Sequence, residues 1–79
     1  MGYARPRPQH LSAKLLQIRR TLKLSQPQLA KRLGILNYTD ISKYELNRNE
    51  PSLMTLLAYS RLSGVRIEVI IDDDLNLEF

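Results

Sequence analysis

The chain has 79 residues, with 12 Lys and Arg against 8 Asp and Glu, and no Cys. This length allows one small domain with a modest core, and the lack of Cys excludes disulfides and thiolate metal ligands. The apolar runs are far shorter than the roughly 18 residues of a membrane-spanning helix, and the start shows no signal-peptide pattern, so we expect a soluble, cytoplasmic protein.

The positive charge is concentrated in the first part of the chain. Residues 1–49 hold ten Lys and Arg and two acids, a net charge of +8, whereas residues 50–79 hold two Arg and six acids, a net charge of −4. A basic part beside an acidic part indicates that one end of the domain meets a polyanion while the other does not. Taken alone, this uneven charge distribution is equally typical of a small protein whose surface charge serves only its solubility.

Residues 1–10 are expected to form a flexible basic arm. The stretch Arg5-Pro6-Arg7-Pro8 cannot continue a helix, because each proline lacks an amide donor and disfavours helical angles in the preceding residue. Two interpretations remain open. The arm is either a loose chain end, which is common at termini, or a segment that lies along DNA or enters a minor groove.

Two helices are predicted in the first half of the domain that spans residues 11–71. Helix 1 covers about Leu11 to Leu22, where apolar residues recur at steps of three and four, and Lys14 points away from this stripe. Helix 2 covers about Gln26 to Leu33. Ser25 and Gln28 have the spacing of a capping box, Pro27 falls in the first turn, and Gly34 is suited to end the helix.

Helix 3 is predicted over about Tyr38 to Leu46, with Asn37 as the N-cap and Asn47 in the left-handed position after the helix. Helix 4 is predicted to start after the N-cap Ser52, to run to about Leu62 and to be closed by Gly64.

The apolar segment 65–71 fits either a fifth helix or a strand. Its β-branched residues favour a strand, but a lone strand in a helical domain would lack a partner unless a second chain supplied one, so we favour the helix. Helix 5 should stop by Ile71, because three following carboxylates would oppose the helix dipole. Residues 72–79 form an acidic tail with apolar residues at every second position.

The predicted helices share one core. The residues expected in it are Leu15, Ile18, Leu22, Leu29, Ala30, Leu33, Ile41, Leu53, Leu56 and Tyr59.

The order and spacing of these motifs is similar to that of the Cro and lambda-repressor (XRE-type) helix-turn-helix family. The residues that carry the resemblance are Leu24-Ser25-Gln26, Leu29-Ala30, Gly34, Ile41-Ser42-Lys43-Tyr44-Glu45 and Pro51-Ser52-Leu53. The resemblance runs from about Leu15 to Ile71 and implies an all-α, five-helix lambda-repressor-like domain whose helix 3 enters the major groove. One departure is an extra residue between Gly34 and Ile41, which we place at Ile35-Leu36 so that Asn37 keeps its capping role.

The resemblance also implies roles for individual side chains. Base-contacting positions fall on Tyr38, Thr39 and Lys43, where Lys43 suits guanine and Thr39 suits a hydrogen bond or a thymine methyl group. Tyr44 fits the core better than a DNA contact. Backbone-contacting positions fall on Gln26, Asn47, Arg48 and Asn49.

Arg19 stands where the family keeps an arginine that pairs with the glutamate matching Glu45. A buried arginine needs such a carboxylate, because an unpaired buried charge is costly. The resemblance therefore implies a structural salt bridge between these two side chains.

Neither catalysis nor a bound metal or cofactor is indicated. His10 is the only histidine and has no obvious catalytic partner, and Asp72-Asp73-Asp74 lacks the spaced ligands of a cation-binding loop, so a solvated acidic run is expected.

The expected function is sequence-specific binding of double-stranded DNA as a transcriptional regulator, more readily a repressor than an activator. A homodimer is expected, with the apolar surplus of residues 65–71 packing against a second chain. The alternative is an antitoxin-like interaction module that binds a partner protein through residues 72–79.

Overall fold

The computed structural model describes residues 7–78, so the expectations for residues 1–6 and for Phe79 lie outside the described part of the chain. Within it the protein is all-helical, which confirms the predicted fold class and settles segment 65–71 in favour of a helix. The five helices are α1 (Leu11–Thr21), α2 (Gln26–Leu33), α3 (Thr39–Glu45), α4 (Leu53–Ser63) and α5 (Ile67–Ile71).

The two ends of α2 are formed by the residues from which the sequence analysis predicted them. The hydroxyl of Ser25 accepts a hydrogen bond from the amide of Gln28, and the side chain of Gln28 accepts one from the amide of Ser25, which completes the capping box. At the other end Gly34 has a φ of 76°, and the amide of Ile35 donates to the carbonyl oxygen of Ala30. This Schellman arrangement satisfies the last carbonyl groups of the helix and turns the chain away.

The ends of α3 are likewise formed by a capping side chain before the helix and a left-handed residue after it. The side-chain oxygen of Asn37 accepts a hydrogen bond from the amide of Thr39 at 3.1 Å, so Asn37 keeps the capping role predicted for it although Tyr38 already has helical angles. After the helix, Asn47 is left-handed with a φ of 60°, and the amide of Arg48 donates to the carbonyl oxygen of Lys43 at 2.8 Å. The shape of the loop after α3 is therefore fixed by its own backbone.

The core lies between the five helices: α3 packs against α1 and α2, α4 packs against α2 and α5, and α5 also packs against α1. Its buried apolar residues in the described chain are Leu11, Leu15, Ile18, Leu29, Ala30, Ile41, Leu56, Tyr59 and Ile70. Leu22 and Leu33, predicted as core, are only half-buried and pack against its edge.

The prediction for Leu53 is wrong, because its side chain is 69% exposed. Leu53 lies in the first turn of α4, where the next residue, Met54, is also 70% exposed, and burial begins one turn later at Leu56. Ile70, which the predicted core omitted, is fully buried because α5 packs against both α1 and α4.

Lys14 does not point into solvent as the helix pattern suggested. It is only 6% exposed, and its ammonium group donates hydrogen bonds to three carbonyl groups near the end of α5, those of Val69, Asp72 and Leu75. The partial negative charge at the C-terminus of α5 stabilises this buried cation. The tail after α5 is thereby attached to α1.

Candidate nucleic-acid interface

The helices α2 and α3 are joined by residues 34–38 and pack against each other, as in a helix-turn-helix. Within this connection Ile35 packs against the core, whereas Leu36 is fully exposed. Leu36 therefore lies on the outside of this turn, and the cap of α3 at Asn37 is preserved.

The outer side of α3 carries the three residues expected to contact bases. Tyr38, Thr39 and Lys43 are exposed, while Ile41 on the opposite side is fully buried. Thr39 and Lys43 are four residues apart and therefore share one face of the helix. The hydroxyl of Thr39 donates to the side-chain oxygen of Asn37 at 2.8 Å, so towards a ligand it offers its lone pairs and its methyl group.

Arg19 and Glu45 form a two-bonded ion pair that joins α1 to the end of α3. Nε of Arg19 lies 2.7 Å from Oε2 of Glu45 and Nη2 lies 3.0 Å from Oε1, with the two side chains 18% and 5% exposed. The hydrogen bonds that Arg19 donates to Glu45 raise the pKa of Arg19, so the guanidinium stays charged. This fork geometry fixes the orientation of both planes.

Gln26 belongs to the same hydrogen-bond network. Its side-chain nitrogen donates to Oε1 of Glu45 at 3.0 Å, which anchors the first turn of α2 to the end of α3. A primary amide carries two N–H donors, so one remains for a phosphate oxygen. The position implied for a phosphate contact is therefore also part of the structural network around Glu45.

The loop after α3 presents Asn47, Arg48 and Asn49 in exposed positions, next to the C-terminal end of α3. Arg7, from the segment that precedes α1, reaches this loop: its Nη1 donates to the carbonyl oxygen of Asn47 at 2.7 Å and to the side-chain oxygen at 3.1 Å. Sequence reasoning placed Arg7 in a basic arm but contained no signal for this contact, which joins residues 40 positions apart.

The charge around these residues is strongly positive. Lys31, Arg32, Lys43 and Arg48 are exposed on α2, on α3 and in the loop after it. The acids of residues 1–49 are Asp40 and Glu45, and Glu45 is bonded to Arg19 and Gln26. Such a surface favours a polyanion.

Within residues 7–78, no group of three or more His, Cys, Asp or Glu is placed to hold a metal ion. None of the five helices has the length and apolar character needed to cross a membrane. His10 is exposed at the start of α1.

A family model described as helix-turn-helix matches residues 15–70, which is more than half of the chain and covers α2, α3 and α4 completely. Neither the curated proteins nor the solved structures contain a match. The matched range includes the capped pair α2–α3, the Arg19–Glu45 bridge and the exposed face of α3, and the chain therefore belongs to the XRE/lambda-repressor-like helix-turn-helix family of DNA-binding domains.

Proposed function

We propose that the protein is a non-enzymatic cytoplasmic regulator that binds a specific sequence of double-stranded DNA, with α3 in the major groove. The observation that carries this proposal is the exposure of Tyr38, Thr39 and Lys43 on one side of a helix whose opposite side is buried. A helix of this kind fits the major groove, and the side chains near its start reach base edges.

Two sets of residues flank α3 and suit contacts to the DNA backbone. Gln26 lies in the first turn of α2, where free amides and the helix dipole favour an anion. Asn47, Arg48 and Asn49 lie in the loop at the other end of α3. Contacts to phosphates at both ends would set the register of α3, while the α3 side chains would select the sequence.

We further propose that the protein acts as a repressor and as a homodimer. A domain that occupies an operator excludes other proteins from it, and a dimer reads two half-sites about 34–36 Å apart. The apolar surplus expected in segment 65–71 is smaller than the sequence suggested, because Ile70 is buried and Val65 and Ile67 pack against the core of the same chain. The exposed side chains of Leu53 and Ile71, which line one cavity, still offer apolar surface to a second copy.

Within residues 7–78 the tail is not free in the way that the antitoxin-like alternative requires. That function needs an available tail, whereas Leu77 packs against the core and the carbonyl oxygen of Leu75 is bonded to Lys14.

Selection of bound oligonucleotides from a random pool tests the proposal. We expect one enriched motif with two-fold symmetry, and we expect Lys43→Ala to relax the preference at one or two of its base pairs. Recovery of no motif, with binding independent of sequence, would contradict sequence-specific recognition. Sedimentation of the full chain with and without the selected site tests the dimer.

A further inference from the structure

The acidic tail holds the segment in front of α1 in place. The carboxylate of Asp73 accepts one hydrogen bond from the amide of Gln9 at 2.8 Å and a second from the amide of His10 at 3.0 Å. These two bonds also lower the pKa of Asp73, so the group stays ionised. The tail itself is anchored nearby, because the buried Lys14 binds the carbonyl oxygens of Asp72 and Leu75.

The chain held by Asp73 leads directly to Arg7. Two residues before Gln9, the guanidinium of Arg7 lies on Asn47, and both of its described hydrogen bonds are made by Nη1. The remaining N–H groups of a guanidinium are donors that suit a phosphate. Arg7 therefore lies beside the loop 47–49, and its Nε and Nη2 donors have no acceptor among the described residues.

The contact with Arg7 also determines which side-chain atom of Asn47 is available to a ligand. Its side-chain oxygen accepts from Arg7, so the orientation of the amide group is fixed and its nitrogen is left to donate. Phosphate oxygens only accept hydrogen bonds, and a donating amide is the group they need. The bond from Arg7 thus favours the productive orientation of Asn47.

We propose that Asp73 is a positioning residue for DNA binding, whose carboxylate holds Gln9 and His10 so that Arg7 stays on Asn47 and adds a phosphate contact to the loop 47–49. The inference rests on the proposed function and adds to it a role for the tail and a contact residue, Arg7, that the family motifs do not supply.

The proposal reverses the electrostatic expectation for an acidic residue. Removing a carboxylate from a protein that binds a polyanion normally strengthens binding, because repulsion decreases. If Asp73 positions Arg7, its removal instead weakens binding. Asp74 provides a matched control, because it is the next residue and carries the same charge. In the described part of the chain its backbone amide donates to the side chain of Asp72, and its carboxylate holds neither Gln9 nor His10.

The experiment measures the dissociation constant of the full chain for its selected DNA site at one fixed salt concentration. Wild type is compared with Asp73→Ala, Asp74→Ala, Arg7→Ala and the double variant Arg7→Ala/Asp73→Ala. We expect Asp74→Ala to bind as tightly as wild type or slightly more tightly. We expect Asp73→Ala and Arg7→Ala each to bind roughly three- to tenfold more weakly, the size of one screened charge-assisted contact.

The double variant separates positioning from a general loss of structure. If Asp73 acts through Arg7, the double variant binds no more weakly than Arg7→Ala alone, and both single variants lower the salt slope by about one. Asp73→Asn keeps one acceptor oxygen and should fall between wild type and Asp73→Ala. Hydrogen exchange at the amides of Gln9 and His10 should accelerate in Asp73→Ala while exchange in α3 stays unchanged.

Two outcomes would overturn the inference while the proposed function stands. In the first, wild type binds its site, but Asp73→Ala and Asp74→Ala have equal affinities for it. In the second, the loss of affinity in Arg7→Ala/Asp73→Ala equals the sum of the losses in the two single variants. A wild type that binds no specific DNA would overturn the proposed function and, with it, this inference.

Discussion

The ammonium group of Lys14 donates a hydrogen bond to the carbonyl oxygen of Leu75 at 2.7 Å, across 61 residues of sequence. With Val69 and Asp72 as its other partners, all three ammonium donors are used in a nearly dry environment. The bond closes the domain by attaching the segment after α5 to the first half of α1. The stability of the whole fold should therefore depend on one lysine that a helical wheel assigns to the surface.

Replacing Lys14 by Met should lower the free energy of unfolding by about 2–4 kcal/mol. The substitution keeps the aliphatic volume but leaves three partly buried carbonyl groups without their charged donor. Denaturant unfolding measures the change. Arg20→Met, an exposed position on the same helix, is the control and should change stability by less than about 0.5 kcal/mol. Equal stabilities of the two variants would show that the Lys14 contacts contribute nothing.

Replacing Glu45 by Ala should cost about 3 kcal/mol, at the low end for buried ion pairs because Arg19 keeps some contact with solvent. The variant leaves Arg19 unpaired and also frees Gln26 from its anchor. A double-mutant cycle with Arg19→Ala, followed by denaturant unfolding, isolates the coupling between the two residues. Additive effects in the cycle would contradict a direct pair.

Replacing Tyr59 by Phe should leave stability unchanged or raise it by up to about 1 kcal/mol. The hydroxyl of Tyr59 is buried and has no hydrogen-bond partner in the described chain, so removing it relieves an uncompensated desolvation. Tyr44→Phe is the matched control and should be mildly destabilising, since the Tyr44 side chain is only half-buried and its hydroxyl lies near Thr55. A clear loss of stability in Tyr59→Phe would show that the hydroxyl is satisfied in solution.

Comparing Tyr59→Phe with wild type also gives a test of the pH dependence of stability. Burial raises the pKa of Tyr59 above its ordinary 10.0, so at higher pH the unfolded chain loses this proton before the folded chain does. The stabilising effect of the neutral form is complete below pH 10 and is lost as the pH rises above it. The free energy of unfolding should therefore fall less steeply above pH 10 in Tyr59→Phe than in wild type.

Lys43 and Arg48 should differ in what they contribute to DNA binding. Lys43→Ala should cost about 1–3 kcal/mol on the best site and relax the preference at one or two base pairs, as expected for a base contact. Arg48→Ala should weaken binding to all sequences alike, as expected for a phosphate contact. Selection and affinity measurements on both variants check this. An unchanged motif and an unchanged specific-to-nonspecific ratio in both would show that α3 does not select the sequence.

Salt should weaken binding strongly. The exposed Lys31, Arg32, Lys43 and Arg48 place positive charge near the proposed phosphates, and each neutralised phosphate releases condensed counterions. Dissociation constants over a salt series give the slope of a double-logarithmic plot. The slope should be steep in wild type and shallower by about one in Arg48→Ala, whereas a slope near zero in wild type would contradict electrostatic binding.

What the sequence determined by itself is local. The side chains of Ser25 and Gln28 bond to each other's backbone amides, and the side chain of Asn37 bonds to the amide of Thr39. Gly34 and Asn47 adopt left-handed conformations, so these predicted caps all appear in the structure. The helix-turn-helix pattern consists of such local signals in a fixed order, and for that reason the fold class and the exposed face of α3 could be predicted.

Only the tertiary structure decided which side chains meet across the chain. Leu53 belongs to the apolar stripe of α4 but is exposed, while Lys14 belongs to a polar position but is buried, because burial depends on which element covers a given turn. The bonds of Asp73 to the segment before α1 and of Arg7 to Asn47 join residues 64 and 40 positions apart. Helical periodicity describes a single element, whereas these contacts depend on how α1, α3 and the tail are packed together.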